Sequence, residues 1–211
     1  MARQERAVRT RNALIESAAE LFDRDGFETA SLSTISARAG VSNGALHFHF
    51  ASKAALAAAV CEAAAQRLGR ITGEGGEQEQ ADGALQILID ASHALLRGFS
   101  HDVVLRAGFD LGDSPESTGA GEDLHRRWQG WVEAVFAQAD REGTLADDVS
   151  AQDAALAVVA AVAGFEALGG QDPQWLSPAS LTRFWGLLLP RLAEESVLDR
   201  LVASGTAAEA G

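Results

Sequence analysis

Tyrosine is absent from the 211 residues, lysine occurs once, as Lys53, and cysteine once, as Cys61. A single cysteine excludes an intrachain disulfide framework, and behind Ala59 and Val60 it reads as a small buried hydrophobe, not a reactive thiol. No apolar run approaches the roughly 20 residues of a bilayer span, and MARQERAVRTR lacks the apolar stretch of a secretion signal. No membrane partner and a cytoplasmic location are therefore expected. The chain also lacks a glycine-rich phosphate loop behind a strand, a serine elbow, a Cys/His pair and a cluster with metal-ligand spacing. Catalytic residues, metal ligands and cofactors are accordingly all expected to be none. His93, His101 and His125 read as scattered surface or helix-end residues, and Asp110, Asp113 and Glu116 as solvated carboxylates. Sustained period-two alternation is missing too, which sets the fold class as all-α.

What is present is strongly acidic, with a formal net charge of −13. The excess is unevenly spread. Residues 1–53 hold seven basic residues against six acidic ones, and Arg3, Arg6, Arg9 and Arg11 crowd the first eleven positions. The rest of the chain would be repelled by phosphate, so only the amino-terminal end is suited to approach nucleic acid.

Apolar spacing predicts a first helix over Val8–Asp25, ended by Gly26, and a short second helix behind Ser31 and Ser33 that stops at Gly40. A third covers about Asn43 to His49, and a long Ala-rich helix begins at its cap, Ser52. The polar, Gly-rich stretch Thr72 to Gln80 reads as a connection. Further helices are expected at Ala81–Phe99, His101–Leu111, Gly121–Glu142, Ala151–Leu168, Pro178–Leu189 and Pro190 to about Ala203, with Pro190 breaking or kinking whatever precedes it. The expected organisation is an arm and helix-turn-helix domain over 1–53, a regulatory domain over 54–203 and a frayed tail over 204–211.

A helix-turn-helix needs a short supporting helix, a tight turn and a second helix leading with polar groups. Between about residues 31 and 50 each part is present: Ile35 and Ala39 face inward, Gly40 turns, Val41 fills the angle, and Ser42-Asn43-Gly44 lead the reading helix. Asn43 can pair with adenine, Ser33 and Ser42 with phosphate or a base edge, Lys53 with phosphate, and Gly44 admits close approach. Arg3, Arg6 and Arg9 suit a mobile arm on the backbone or minor groove. A generic three-helix packing unit with solvated polar groups fits the same pattern. His47 and His49, at i and i+2, diverge around a helix and do not make a metal pair.

The run AAELFDRDGFETASLSTISARAGVSNGALHFHFASKAALAAAV resembles the amino-terminal DNA-binding domain of TetR-family repressors. That resemblance implies an obligate homodimer on double-stranded operator DNA, nine to ten helices per subunit, and a ligand that spreads the reading heads. His47 stands where the family usually has a tyrosine that donates to phosphate, and Asn43 where a basic residue is frequent. His47 can still donate, more strongly when protonated.

In the larger domain, one apolar stripe holds Val158, Val162 and Phe165, and a second holds Leu181, Trp185 and Leu188. By spacing alone both fit core. The family resemblance favours a four-helix dimer interface built from them. Leu124, Trp128, Trp131 and Val135 share a helical face suited to floor a small-molecule pocket, with Leu88, Leu95, Val104, Leu105 and Phe109 opposite. VVLRAGFDLG followed by the Trp128 segment is similar to the γ-butyrolactone receptor branch of actinomycete repressors, in which a tryptophan matching Trp128 lines the effector pocket. The branch also includes regulators answering an antibiotic, another metabolite or no ligand.

Overall fold

The computed structural model describes residues 2–74, 83–112 and 123–206, with side chains from residue 4. Ten α-helices are described: α1 (Ala2–Asp25), α2 (Leu32–Arg38), α3 (Asn43–His49), α4 (Lys53–Ile71), α5 (Gly83–His101), α6 (Val103–Gly112), α7 (Leu124–Arg141), α8 (Ala151–Gly169), α9 (Pro178–Leu192) and α10 (Glu195–Leu198). A 3-10 turn, Pro173–Leu176, precedes α9. Among the described residues the only strand-like pairing is the isolated bridge of Leu145 with Ala193, so the chain is all-α, as expected.

Compactness divides the chain elsewhere than at residue 53. One unit comprises Met1–Leu68 with Asp102–His125, the other Gly69–His101 with Arg126–Gly211. The cause in the first unit is α6, which lies within the regulatory domain expected over 54–203. Arg106 of α6 grips Asp23 of α1 through two guanidinium nitrogens, at 2.9 and 3.2 Å, and Arg67 of α4 pairs with Asp102 just before α6. Gly108 permits the contact of α6 with α4, because a Cβ there would stand 2.2 Å from the Ala64 Cβ. The core of this unit combines Leu14, Leu21 and Phe22 of α1 with Ile35, Leu46, Leu56 and Val60, and with Val104, Leu105 and Phe109 of α6.

In the second unit, α5 presents Leu88, Ile89, Leu95 and Phe99 to the interior, alongside Val158 and Val162 of α8 and Leu181, Trp185 and Leu189 of α9. Two expectations fail here. First, the helix expected to end at Leu189 runs through Pro190 to Leu192. Pro190 occupies the last turn on an exposed position, and Gly186, whose carbonyl its ring would face four residues earlier, is exposed as well. Beyond it the chain extends: Ala146 N–H donates to Leu192 O and Glu194 N–H to Thr144 O, both at 2.9 Å. That pairing reduces the helix expected from Pro190 to Ala203 to the four residues of α10. Second, the stretch expected to fray from Ser204 is strapped onto α5 as far as it is described. Gln86 donates to Val202 O at 3.3 Å and accepts from Val202 N–H at 2.8 Å, and Asp90 accepts from the Thr206 N–H at 2.8 Å. Residues 207–211, Asp113 and Glu116 lie outside the described residues.

Candidate functional site

The reading segment is built from serines that cap the starts of helices. Ser31 accepts the Thr34 N–H at 3.1 Å and Ser42 the Ala45 N–H at 3.2 Å, each satisfying a donor that the first turn leaves open. Between them Gly40, at φ +68°, makes the turn that a side chain would strain. Ile35 and Leu46, both at 0% exposure, hold α2 and α3 together, and Arg11 lies over the Phe50 ring at 5.3 Å.

With Leu46 and Phe50 turned inward, Asn43, Gly44, His47 and Phe48 share the outer face of α3, and all four are exposed. Gly44 has only Ser42 Oγ, at 3.8 Å, near the place of a Cβ. Ser33 and Ser42 are exposed beside this face, but Ser33 Oγ already lies 2.9 Å from Ser31 Oγ. The structure brings the predicted polar set together and changes three of its members. Asn43 is held by Ser36, whose Oγ donates to Asn43 Oδ1 at 2.6 Å. Lys53 turns back on its own domain: its ammonium donates to Phe27 O at 2.8 Å and Glu28 O at 3.0 Å and sits 4.4 Å above the Phe27 ring. It thus staples the loop after α1, with one proton left for a phosphate. The predicted mobile arm is helical from Ala2. Propensity explains this, since Ala, Arg, Gln and Glu dominate its first seven residues. Arg6 and Arg9 therefore project from a fixed helix, exposed and outside any ion pair among the described residues. Arg3 is placed in that helix by its backbone alone.

Sequence reasoning missed Phe48, which is 82% exposed and meets His49 edge to face at 5.2 Å. Its signal was available: two positions on from Leu46 and two before Phe50, it could not point inward. A large apolar ring in water on an otherwise polar face suits a thymine methyl group. No group of three or more His, Cys, Asp or Glu able to hold a metal occurs among the described residues.

The seven expected pocket residues are divided between the units. Leu88, Leu95, Trp128 and Trp131 belong to the second, Val104, Leu105 and Phe109 to the first. All are buried except Trp131, which is half-buried and stacks on Trp128 with centroids 5.1 Å apart. The inward stripe of α7 is Leu124, Trp128, Val132 and Phe136; Trp131 and Val135 flank it. Trp128 is 2% exposed, yet its Nε1–H finds no acceptor among the described residues. A buried donor without a partner forfeits about 1–3 kcal/mol, so it marks a place where an acceptor is missing.

The expected dimer stripes need correction. Val158, Val162, Phe165, Leu181 and Trp185 are buried within the subunit, and Leu188 is half-buried. Facing solvent instead are Leu156 at 70% and Leu187 at 83% exposure, with Ala160, Ala163 and Ala167 continuing the outer stripe of α8. By length and composition α8 is also apolar enough to span a membrane, contrary to the sequence reading, although only 28% of it is buried. Its run of small residues alternating between core and surface produces both properties.

Residues 14–60 match the model of bacterial regulatory proteins, tetR family. The A-factor receptor protein of Streptomyces griseus is 28% identical over 209 residues, covering 97% of this chain and 71% of that protein. Among solved structures, a γ-butyrolactone receptor (ArpA-like protein) aligns with a TM-score of 0.78 at 27% identity, covering 97% of this chain and 98% of its own. CprB from Streptomyces coelicolor, determined in complex with its biological operator sequence, aligns at 0.79 with 28% identity and the same coverage.

Proposed function

From a chain whose amino-terminal domain is that of a TetR-family regulator, we propose a cytoplasmic, homodimeric repressor that leaves a palindromic operator when a small acyl-type molecule binds beside Trp128. The observation that carries this reading is the buried Trp128 N–H, which has no acceptor among the described residues. Leu88 and Leu95 of the same unit are fully buried aliphatics. A ligand suited to them offers one carbonyl acceptor on an apolar body, which is the chemistry of a γ-butyrolactone. On the DNA side, α3 supplies Asn43, His47 and Phe48 to base edges, while Ser33, Ser42, Arg6 and Arg9 serve phosphates. Residues 1–53, which carry that face, hold seven basic residues against six acidic ones, whereas the whole chain stands at −13. For the dimer, the outer faces of α8 and α9, with Leu156, Ala160, Ala163 and Leu187, replace the buried stripes. Small residues let paired helices approach closely, and two helices from each subunit give a self-complementary four-helix contact.

The test is tryptophan fluorescence and operator release during titration with γ-butyrolactones. Saturable quenching with release is expected, and Trp128→Phe should weaken the ligand roughly tenfold while sparing operator binding, about the cost of one hydrogen bond to a buried group. Absence of any saturable change with butyrolactones, furans or antibiotic precursors overturns the sensor.

A further inference from the structure

Asn43, exposed at the start of α3, is tied to a buried residue of α2, Ser36. We infer that Ser36 is a positioning residue that turns the Asn43 amide into an adenine reader, an inference that rests on α3 being the reading helix.

Ser36 is 3% exposed, whereas Asn43 is exposed. Ser36 Oγ lies 3.0 Å from the Ser33 carbonyl, one turn back in α2, and donates to Asn43 Oδ1 at 2.6 Å at the start of α3. A serine hydroxyl carries a single proton, and the amide oxygen has two lone pairs. At the shorter of the two distances the proton goes to Asn43, which fixes the amide oxygen as the atom facing Ser36. One lone pair of Oδ1 is then used inside the protein. Its other lone pair and the amide hydrogen beside it form the outward edge.

That edge is one acceptor beside one donor. Adenine presents its N6 amino group and N7 in the complementary order, guanine presents two acceptors, and cytosine a donor alone. An exposed asparagine left to itself would swing about its terminal torsion and present either end. The short bond to Ser36 removes that freedom before DNA arrives. Selectivity therefore comes from a buried hydroxyl on the supporting helix.

The experiment selects bound duplexes from a random pool with the full-length dimer, its Ser36→Ala, Asn43→Ala and Asn43→Asp variants, and the Ser36→Ala/Asn43→Ala double variant, and measures the Tm of each. The wild type should enrich a palindrome with adenine at one position of each half-site. Asn43→Ala should lose that preference about tenfold, the effect of one paired contact. Ser36→Ala should lose most of it at the same position, leave the other positions unchanged, and add nothing in the double variant. Asn43→Asp, altered at an exposed site and so expected to fold, should abandon adenine for cytosine, since a carboxylate only accepts. A merely structural tie predicts that Ser36→Ala lowers Tm and weakens all positions evenly with the adenine preference intact; that result overturns the proposal. So does an adenine preference that survives Asn43→Asp. A wild type that enriches no palindrome removes the repressor reading itself, an outcome visible before any variant is compared.

Discussion

Side chains in the reading segment and on α5 bond over very different distances along the chain. From Ser31 to Asn43 the hydroxyl and amide bonds link residues two, three and seven positions apart. On α5, Gln86 and Asp90 bond residues 116 positions away, and His93 one that is 110 away. Local bonds close small loops and form with the helices they cap, so the reading surface is set by its own sequence. Distant bonds form only after the core has brought the two segments together, at the higher entropy cost of a long loop. The α5 strap is therefore expected to answer to whatever loosens the core of its unit, and the α3 face is not.

Deleting the packing under the reading face should have the largest effect. Leu46→Ala removes a fully buried side chain that holds α3, and should cost about 2–5 kcal/mol in thermal or denaturant unfolding. Operator binding should fall with it. If Leu46→Ala unfolds normally yet fails on DNA, α3 is not held by its own core and the contrast breaks.

Gln86→Leu comes next. Gln86 is 3% exposed and occupies both the N–H and the carbonyl of Val202. Leaving those groups without partners should cost about 1–3 kcal/mol. Operator affinity measured well below the Tm should stay as in the wild type. A matched loss of DNA binding would show that the strap and the reading face are not separate in the way their bonds suggest.

Smaller still is Ser31→Ala, which removes the α2 cap and should cost about 1 kcal/mol. Because the Ser31 hydroxyl also meets Ser33 and Thr34, a loss well beyond that figure would mean the serine cluster acts as a network.

The same contrast in range explains what could be read in advance. Caps at Ser31 and Ser52, and the turn at Gly40, follow from residue type and position, so the helix-turn-helix and nearly every helix were legible. What was not legible depends on distant partners. Lys53 looked like a phosphate ligand because nothing local reveals the carbonyls of Phe27 and Glu28, 26 and 25 residues earlier. The inward and outward sides of α8 are both apolar, so periodicity could not say that Val158 and Val162 go into the subunit while Leu156 and Ala160 stay outside. Trp128 was readable as a buried aromatic; that its N–H lacks an acceptor among the described residues is a property of everything around it.

The mildest perturbation of the strap is a proton. His93 was expected at the surface or a helix end but sits inside α5 at 2% exposure, and its Nε2 lies 2.9 Å from Ala203 O, to which the neutral ring donates when Nε2 carries the proton. Burial pushes the pKa of His93 below the ordinary 6.5; nearby Arg97 adds to that, while the Ala203 carbonyl and Asp90 oppose it. The unfolded chain then takes up the proton first, so stability rises with pH and is lost as the pH falls below about 6.5. His93→Gln keeps a donor for Ala203 without titrating in this range. In unfolding curves between about pH 5 and 8 the wild type should weaken on the acid side, and the His93→Gln variant should lack that component. Because Ala203 and Asp90 offset part of the burial, this effect should be the smallest of the four. An unchanged acid slope in the variant would mean that the proton acts elsewhere, and that the strap is held by Gln86 and Asp90 without the imidazole.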